Sequence, residues 1–204
     1  MTGGTPPRDS GLIAGLLLVA ACVVTSLVLL WHLKAEAGPA APAPPRWPSA
    51  STLSRTPGRA TLVMFTHPRC ACTRASLAEL RQLMSRFSAQ LTAYVEVASP
   101  NGAPPDWPDG ATRDAATSIA GVHLVVDADE REAHRFGAMT SGHVVLYDAD
   151  GALRYSGGIT GARGHVGDNA GLDTVAAILD GMHDLHAIGP VFGCPLARTD
   201  EGAR

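Results

Sequence analysis

Residues 61–80, TLVMFTHPRCACTRASLAEL, change periodicity in mid-stretch. Leu62-Val63-Met64-Phe65 is a continuous apolar run of the length of a buried strand, and beyond Arg74 the apolar residues recur at helical spacing. Cys70 and Cys72 stand at the junction, after His67-Pro68. A strand that enters a helix through a turn places the first helical N–H groups, and the positive end of the helix dipole, beside those sulfurs. That environment favours the thiolate, the reactive form.

The remaining composition narrows the setting. A chain of 204 residues has room for one domain and an appendage. Its net charge of −3, with basic residues scattered, leaves no nucleic-acid footprint. Residues 11–33 begin with GLIAGLLLVAACVVTSLVLLW, free of charge and as long as the roughly 20 residues that span a bilayer. They read as one transmembrane anchor behind a short segment, 1–10. A cleaved signal peptide is the rival reading, since Ala35-Glu36-Ala37 resembles a cleavage site, but the run exceeds the roughly 7 to 15 residues of a signal core. Arg8 and Lys34 flank the span almost evenly and do not orient it. Residues 34–56, rich in Ala and Pro, read as an extended spacer. A domain over 57–188 and a tail over 189–204 complete the chain.

Within the domain the helix that follows the cysteines is expected to run to about Gln90, with Leu77, Leu80, Leu83, Met84 and Phe87 as its core stripe. Residues 91–98 alternate as a strand, 99–110 form a Pro- and Gly-rich loop holding Trp107, and 114–120 form a short helix. A strand over 122–126, a helical turn over 131–136, a strand over 142–148, a hairpin return through 153–156 and a helix over 172–182 follow. This order implies an α/β sandwich of three layers around a mixed central sheet.

The segment from Phe65 through Cys70 to Leu80 resembles the thioredoxin-like superfamily, in particular membrane-tethered TlpA-type thiol proteins and the group labelled RedB. Val126-Asp127 through Phe136-Gly137-Ala138 to Leu146–Gly151 resembles the second half of the same domain. The resemblance implies a thioredoxin-like fold, a periplasmic, inner-membrane location, and Cys70 as the nucleophile at the exposed N-terminus of its helix. Two positions depart from the family pattern. Thr73 stands where the second cysteine belongs, and Thr140-Ser141-Gly142 replaces the cis-proline that faces the cysteines and aligns substrate chains.

Cys22 lies within the span, so Cys70, Cys72 and Cys194 are the thiols available for chemistry. The first reading is a thiol–disulfide oxidoreductase acting on protein thiols or disulfides, with Cys70 attacking and Cys72 or Cys194 resolving. It calls for no cofactor. A C-x-C disulfide closes a small, strained ring, whereas Cys194 lies in a tail, GPVFGCPL, too apolar to be simply solvated. The second reading is copper binding or delivery through Cys70, Cys72 and His143, because thiolates and imidazoles select Cu(I). The third is a redox-inactive adaptor. His67, Gly142, His143 and His165 are the expected substrate-side residues, although His143 reads equally as a strand-end histidine. Arg163, Asp168 and Asn169 accompany His165 in a glycine-rich loop that can line a groove or cap the last helix.

Overall fold

The computed structural model describes residues 8–99, 107, 110–182 and 185–196, in two compact units, 1–36 and 37–204. The described residues of the first unit form one helix, α1 (Arg8–Ala35), whose stretch Gly11–Leu33 is long and apolar enough to cross a membrane. At about 1.5 Å per residue those 23 residues match a hydrocarbon core of about 30 Å. The hydroxyls of Thr25 and Ser26 donate back to the carbonyls of Ala21 and Cys22, both at 2.8 Å, so these polar groups are satisfied within the helix as a lipid setting requires.

In the second unit the elements follow as β1 (Ala60–Thr66), α2 (Thr73–Phe87), β2 (Leu91–Ser99), α3 (Gly110–Thr117), β3 (Val122–Ala128), α4 (Arg131–Phe136), β4 (His143–Tyr147), β5 (Leu153–Gly158), α5 (Ala170–Leu179) and β6 (Ala187–Ile188). They build one mixed sheet of order β3-β2-β1-β4-β5-β6. The β1, β2 and β3 strands are parallel neighbours, β4 is antiparallel to β1 and β5, and β6 runs parallel to β5. This is the thioredoxin-like α/β sandwich that the sequence implied.

Both sheet faces are buried, which is why β1 and β4 read as continuous apolar runs rather than as alternating ones. Leu62, Met64, Val144 and Leu146 meet α2 and α5 on one face. Val63, Phe65, Val145 and Tyr147 meet α4, Trp47 and Leu53 on the other.

Several boundaries differ from expectation. The α2 helix stops at Phe87 because residues 88–90 turn back into β2, the Gln90 amide donating to the Phe87 carbonyl at 3.0 Å. The α5 helix starts at Ala170, where the Asn169 side chain caps the Leu172 amide at 2.8 Å, and it gives way at Asp180 before Gly181, whose φ is +117°.

The largest correction concerns the proposed spacer. From Gly38 the chain is bound along the domain: Gly38 donates to Val191, Ala41 to Gly137, and Trp47 to Gly151, while Pro45 accepts from Leu153 at 3.0 Å. Pro39 and Pro44 accept from the hydroxyls of Thr140 and Tyr147 at 2.7 and 2.8 Å. Proline lacks an N–H but keeps its carbonyl, so a proline-rich segment can serve as a row of acceptors. Trp47 then stacks edge-on against Phe136 and Tyr147, at 5.1 and 5.3 Å between centroids, on the sheet face that the six-residue α4 also covers. The 37–204 unit therefore begins some twenty residues ahead of the expected boundary at 57.

Candidate active site

The cysteine turn is held by its own backbone. The amide of Cys70 donates to the His67 carbonyl and that of Thr73 to the Cys70 carbonyl, each at 3.0 Å. Cys72 is the N-cap of α2, its carbonyl accepting from Ala75 and Ser76. The Thr73 hydroxyl donates inward to the His67 carbonyl at 3.0 Å and lies 3.2 Å from Ser141 Oγ, which accepts from the His67 amide at 2.9 Å. The two positions that depart from the family pattern thus meet as a hydroxyl pair that ties the turn to the segment before β4.

Cys70 is buried, at 5% exposure, and does not stand at an open helix end as expected. The cover is the C-terminal tail. Its peptide groups run antiparallel to residues 139–141: Ser141 donates to the Cys194 carbonyl at 2.8 Å, Leu196 donates to the Met139 carbonyl at 2.9 Å, and Thr140 pairs with Pro195. Val191 and Leu196, each 2% exposed, pin the two ends. The outcome is a distance of 2.9 Å between Cys70 Sγ and Cys194 Sγ, less than about 1 Å beyond a disulfide bond length.

The three sulfurs are electrostatically unequal. Burial pushes the Cys70 thiol up, but hydrogen bonds from the Cys194 thiol, the Cys194 and Cys72 amides and Ser141 outweigh it, leaving Cys70 below the usual thiol range. Burial, followed by donation to Cys70 and the charge on Cys70, pushes Cys194 up to about 12. Cys72 is raised by burial and by Cys70, against an opposing pull from Arg163 and the Gly164 amide. Cys70 is the favoured thiolate, with Cys194 as its proton-bearing donor.

Arg163, which the sequence places with His165 in a glycine-rich loop able to line a groove, acts on the cysteines. Its guanidinium donates to the Gly193 carbonyl and favours negative charge at both Cys72 and Cys194. In the sequence it is one of four polar residues of that loop, Arg163, His165, Asp168 and Asn169, and nothing local singles it out over His165. His165 is exposed, and its ring lies back over its own loop beside Gly161 and Gly167.

The other expected residues separate into two groups. His67 is buried in the turn; its Nδ1 accepts from the Arg69 amide at 3.2 Å, and its ring meets Trp107 edge-on at 5.6 Å. Gly142, with φ of +91°, lies against α2, where an added Cβ would sit 2.9 Å from Ser76 Oγ. His143 leaves the site. Strand alternation turns it to the Val145 and Tyr147 side, where Nε2 lies 2.9 Å from Ser156 Oγ and burial lowers its pKa to about 4. It lines a cavity of about 360 Å³ beneath Ala40–Ala43 and Pro45, apart from the cysteines. The copper site expected from Cys70, Cys72 and His143 is not assembled, and among the described residues no group of three or more His, Cys, Asp or Glu is placed to hold a metal.

No family model and no curated protein match the sequence. Among solved structures the chain is similar to a hypothetical protein from Sinorhizobium meliloti 1021, at TM-score 0.58 and 21% identity over 70% of this chain and 81% of that one. It is similar to an uncharacterized conserved protein from Geobacillus kaustophilus, at TM-score 0.57 and 17% identity over 71% and 80%. A looser likeness, at TM-score 0.43 and 16% identity over 62% and 84%, is to a secreted Mycobacterium tuberculosis disulfide oxidoreductase homologous to E. coli DsbE. At these identities the likeness is one of fold.

Proposed function

We propose that the chain is a membrane-anchored thiol–disulfide oxidoreductase of the TlpA or RedB kind, working on protein thiols or disulfides with its 37–204 unit on the oxidising, periplasmic side. The observation that carries this reading is the 2.9 Å approach of Cys194 Sγ to a Cys70 whose thiolate is favoured by its hydrogen bonds. An oxidising compartment gives such a pair a lasting function, and α1 supplies the anchor.

In the reductive direction the Cys70 thiolate attacks one sulfur of a substrate disulfide. A mixed disulfide forms, and the second substrate sulfur leaves as a thiolate that takes up the proton released by Cys194. The Cys194 thiolate, favoured by Arg163, then attacks Cys70 Sγ, closing a Cys70–Cys194 disulfide and expelling the first substrate sulfur. The substrate gains two electrons and the protein loses them; the reverse sequence oxidises a dithiol. Cys72 is the reserve thiol at the helix cap.

Alkaline phosphatase fused after Arg204 tests the topology: activity is expected, and activity only from a cytosolic reporter would reverse it. Exchange with a small disulfide by the full chain tests the chemistry. It should vanish in Cys70→Ser, and its absence from the wild type would leave a redox-inactive adaptor.

A further inference from the structure

The tail binds the domain as a separate peptide would. Residues 193–196 lie antiparallel against 139–141 through one bridge and main-chain hydrogen bonds, with the Leu196 side chain buried at one end, Val191 buried just ahead, and Cys194 delivered to the Cys70 sulfur. Main-chain bonding to a strand-like edge, with side-chain pockets setting selectivity, is how extended peptides are recognised in general. Gly193 adds a stringent selection, because a Cβ there would overlap the Ser141 carbonyl. Leu196 occupies a buried place two residues after the cysteine.

We propose that residues 139–141 form a docking edge for an extended partner segment of pattern Gly-Cys-x-apolar, and that residues 193–196 fill this edge in the resting protein as its own tethered occupant. This rests on the oxidoreductase reading and specifies its substrate class. A partner and the tail compete for one edge. When a partner thiolate attacks Cys70 Sγ of the Cys70–Cys194 disulfide, Cys194 leaves as a thiolate and the tail loses its covalent hold, so the partner takes the edge as the mixed disulfide forms. A second thiol of the partner then displaces Cys70, which returns to thiolate while the partner becomes oxidised.

The probe is a fluorescein-labelled heptapeptide of residues 190–196 with serine in place of Cys194, whose binding needs no thiol chemistry. Anisotropy is read on the full chain in detergent, in wild type and in two variants that loosen the tail, Gly193→Ala and Leu196→Ala. Binding to the reduced variants is expected to be at least about tenfold tighter than to the oxidised wild type. A peptide with alanine at the Gly193 position, or with N-methyl-leucine at the Leu196 position, should lose about tenfold, the scale of one or two backbone hydrogen bonds. Equal binding to wild type and both variants, or equal binding of the N-methylated peptide, overturns the proposal. Loss of disulfide exchange with peptide binding intact would instead overturn the oxidoreductase reading alone.

Discussion

The N-terminal strap, residues 38–47, and the C-terminal tail, residues 189–196, share an irregular, bound backbone and have opposite consequences. Both are rich in proline or glycine, both lack helix, and both lie bound along the domain. The strap offers carbonyls and one large aromatic, Trp47, and closes a sheet face. The tail offers two aliphatic anchors and a thiol, and closes over the Cys70 sulfur. Proline-rich composition therefore rules out regular structure without ruling out packing, and the apolar residues within each segment decide where it docks.

If the strap is structural and the tail functional, damage to them should separate. Trp47→Ala should cost about 3 kcal/mol in denaturant unfolding, the lower end of the range for removing a large aromatic, while Cys70 reactivity in the folded protein stays unchanged. A change in Cys70 alkylation of equal size in the strap variant would erase the distinction. Leu196→Ala should cost less, about 2 kcal/mol, since the tail can detach without opening the core, and should speed Cys70 alkylation severalfold.

The strap side also has its own titration. Its continuation through Ser51 and Thr52 bonds Glu132, at 2.6 Å from Ser51 Oγ, next to Glu96 and Asp127. Burial, then Asp127 and Glu132, raises Glu96 to about 8. A carboxyl whose folded pKa lies above its unfolded value of about 4.3 contributes stability at low pH that is lost as pH climbs through the folded value. Stability should therefore fall between about pH 4.5 and 8, and Glu96→Gln should flatten that slope. An unchanged slope would assign the dependence to another group. The smallest effect is expected from Cys72→Ser, which should slow exchange by no more than about threefold, because Cys72 is the raised, reserve thiol. A loss as deep as that of Cys70→Ser would make the C-x-C pair the redox unit.

The sequence was most informative where local pattern and burial agree. The change from apolar run to helical stripe at residues 61–80 locates β1, the turn and α2, and the Asp148–Gly151 turn locates the β4–β5 hairpin. It was least informative where the decisive contact is long-range. The apolar tail marks Cys194 as a partner for Cys70 or Cys72 without choosing between them, because the approach to Cys70 crosses 124 positions and depends on backbone pairing that leaves no periodicity. The orientation of His143 was hidden because both faces of β4 are apolar, so alternation carries no contrast. Strand β6 is two residues long, too short for any pattern. The Thr140–Gly142 segment drew notice for the proline it lacks, while the Ser141 hydroxyl, which touches the turn, is visible only in three dimensions.

Peptide mapping of the oxidised full chain by mass spectrometry tests the central claim most directly. The expected result is a Cys70–Cys194 disulfide with Cys72 freely alkylated, and exchange severely slowed in Cys194→Ser. A Cys70–Cys72 bridge, with Cys194 freely alkylated and Cys194→Ser unaltered in exchange, would contradict it and reduce the tail to a cover.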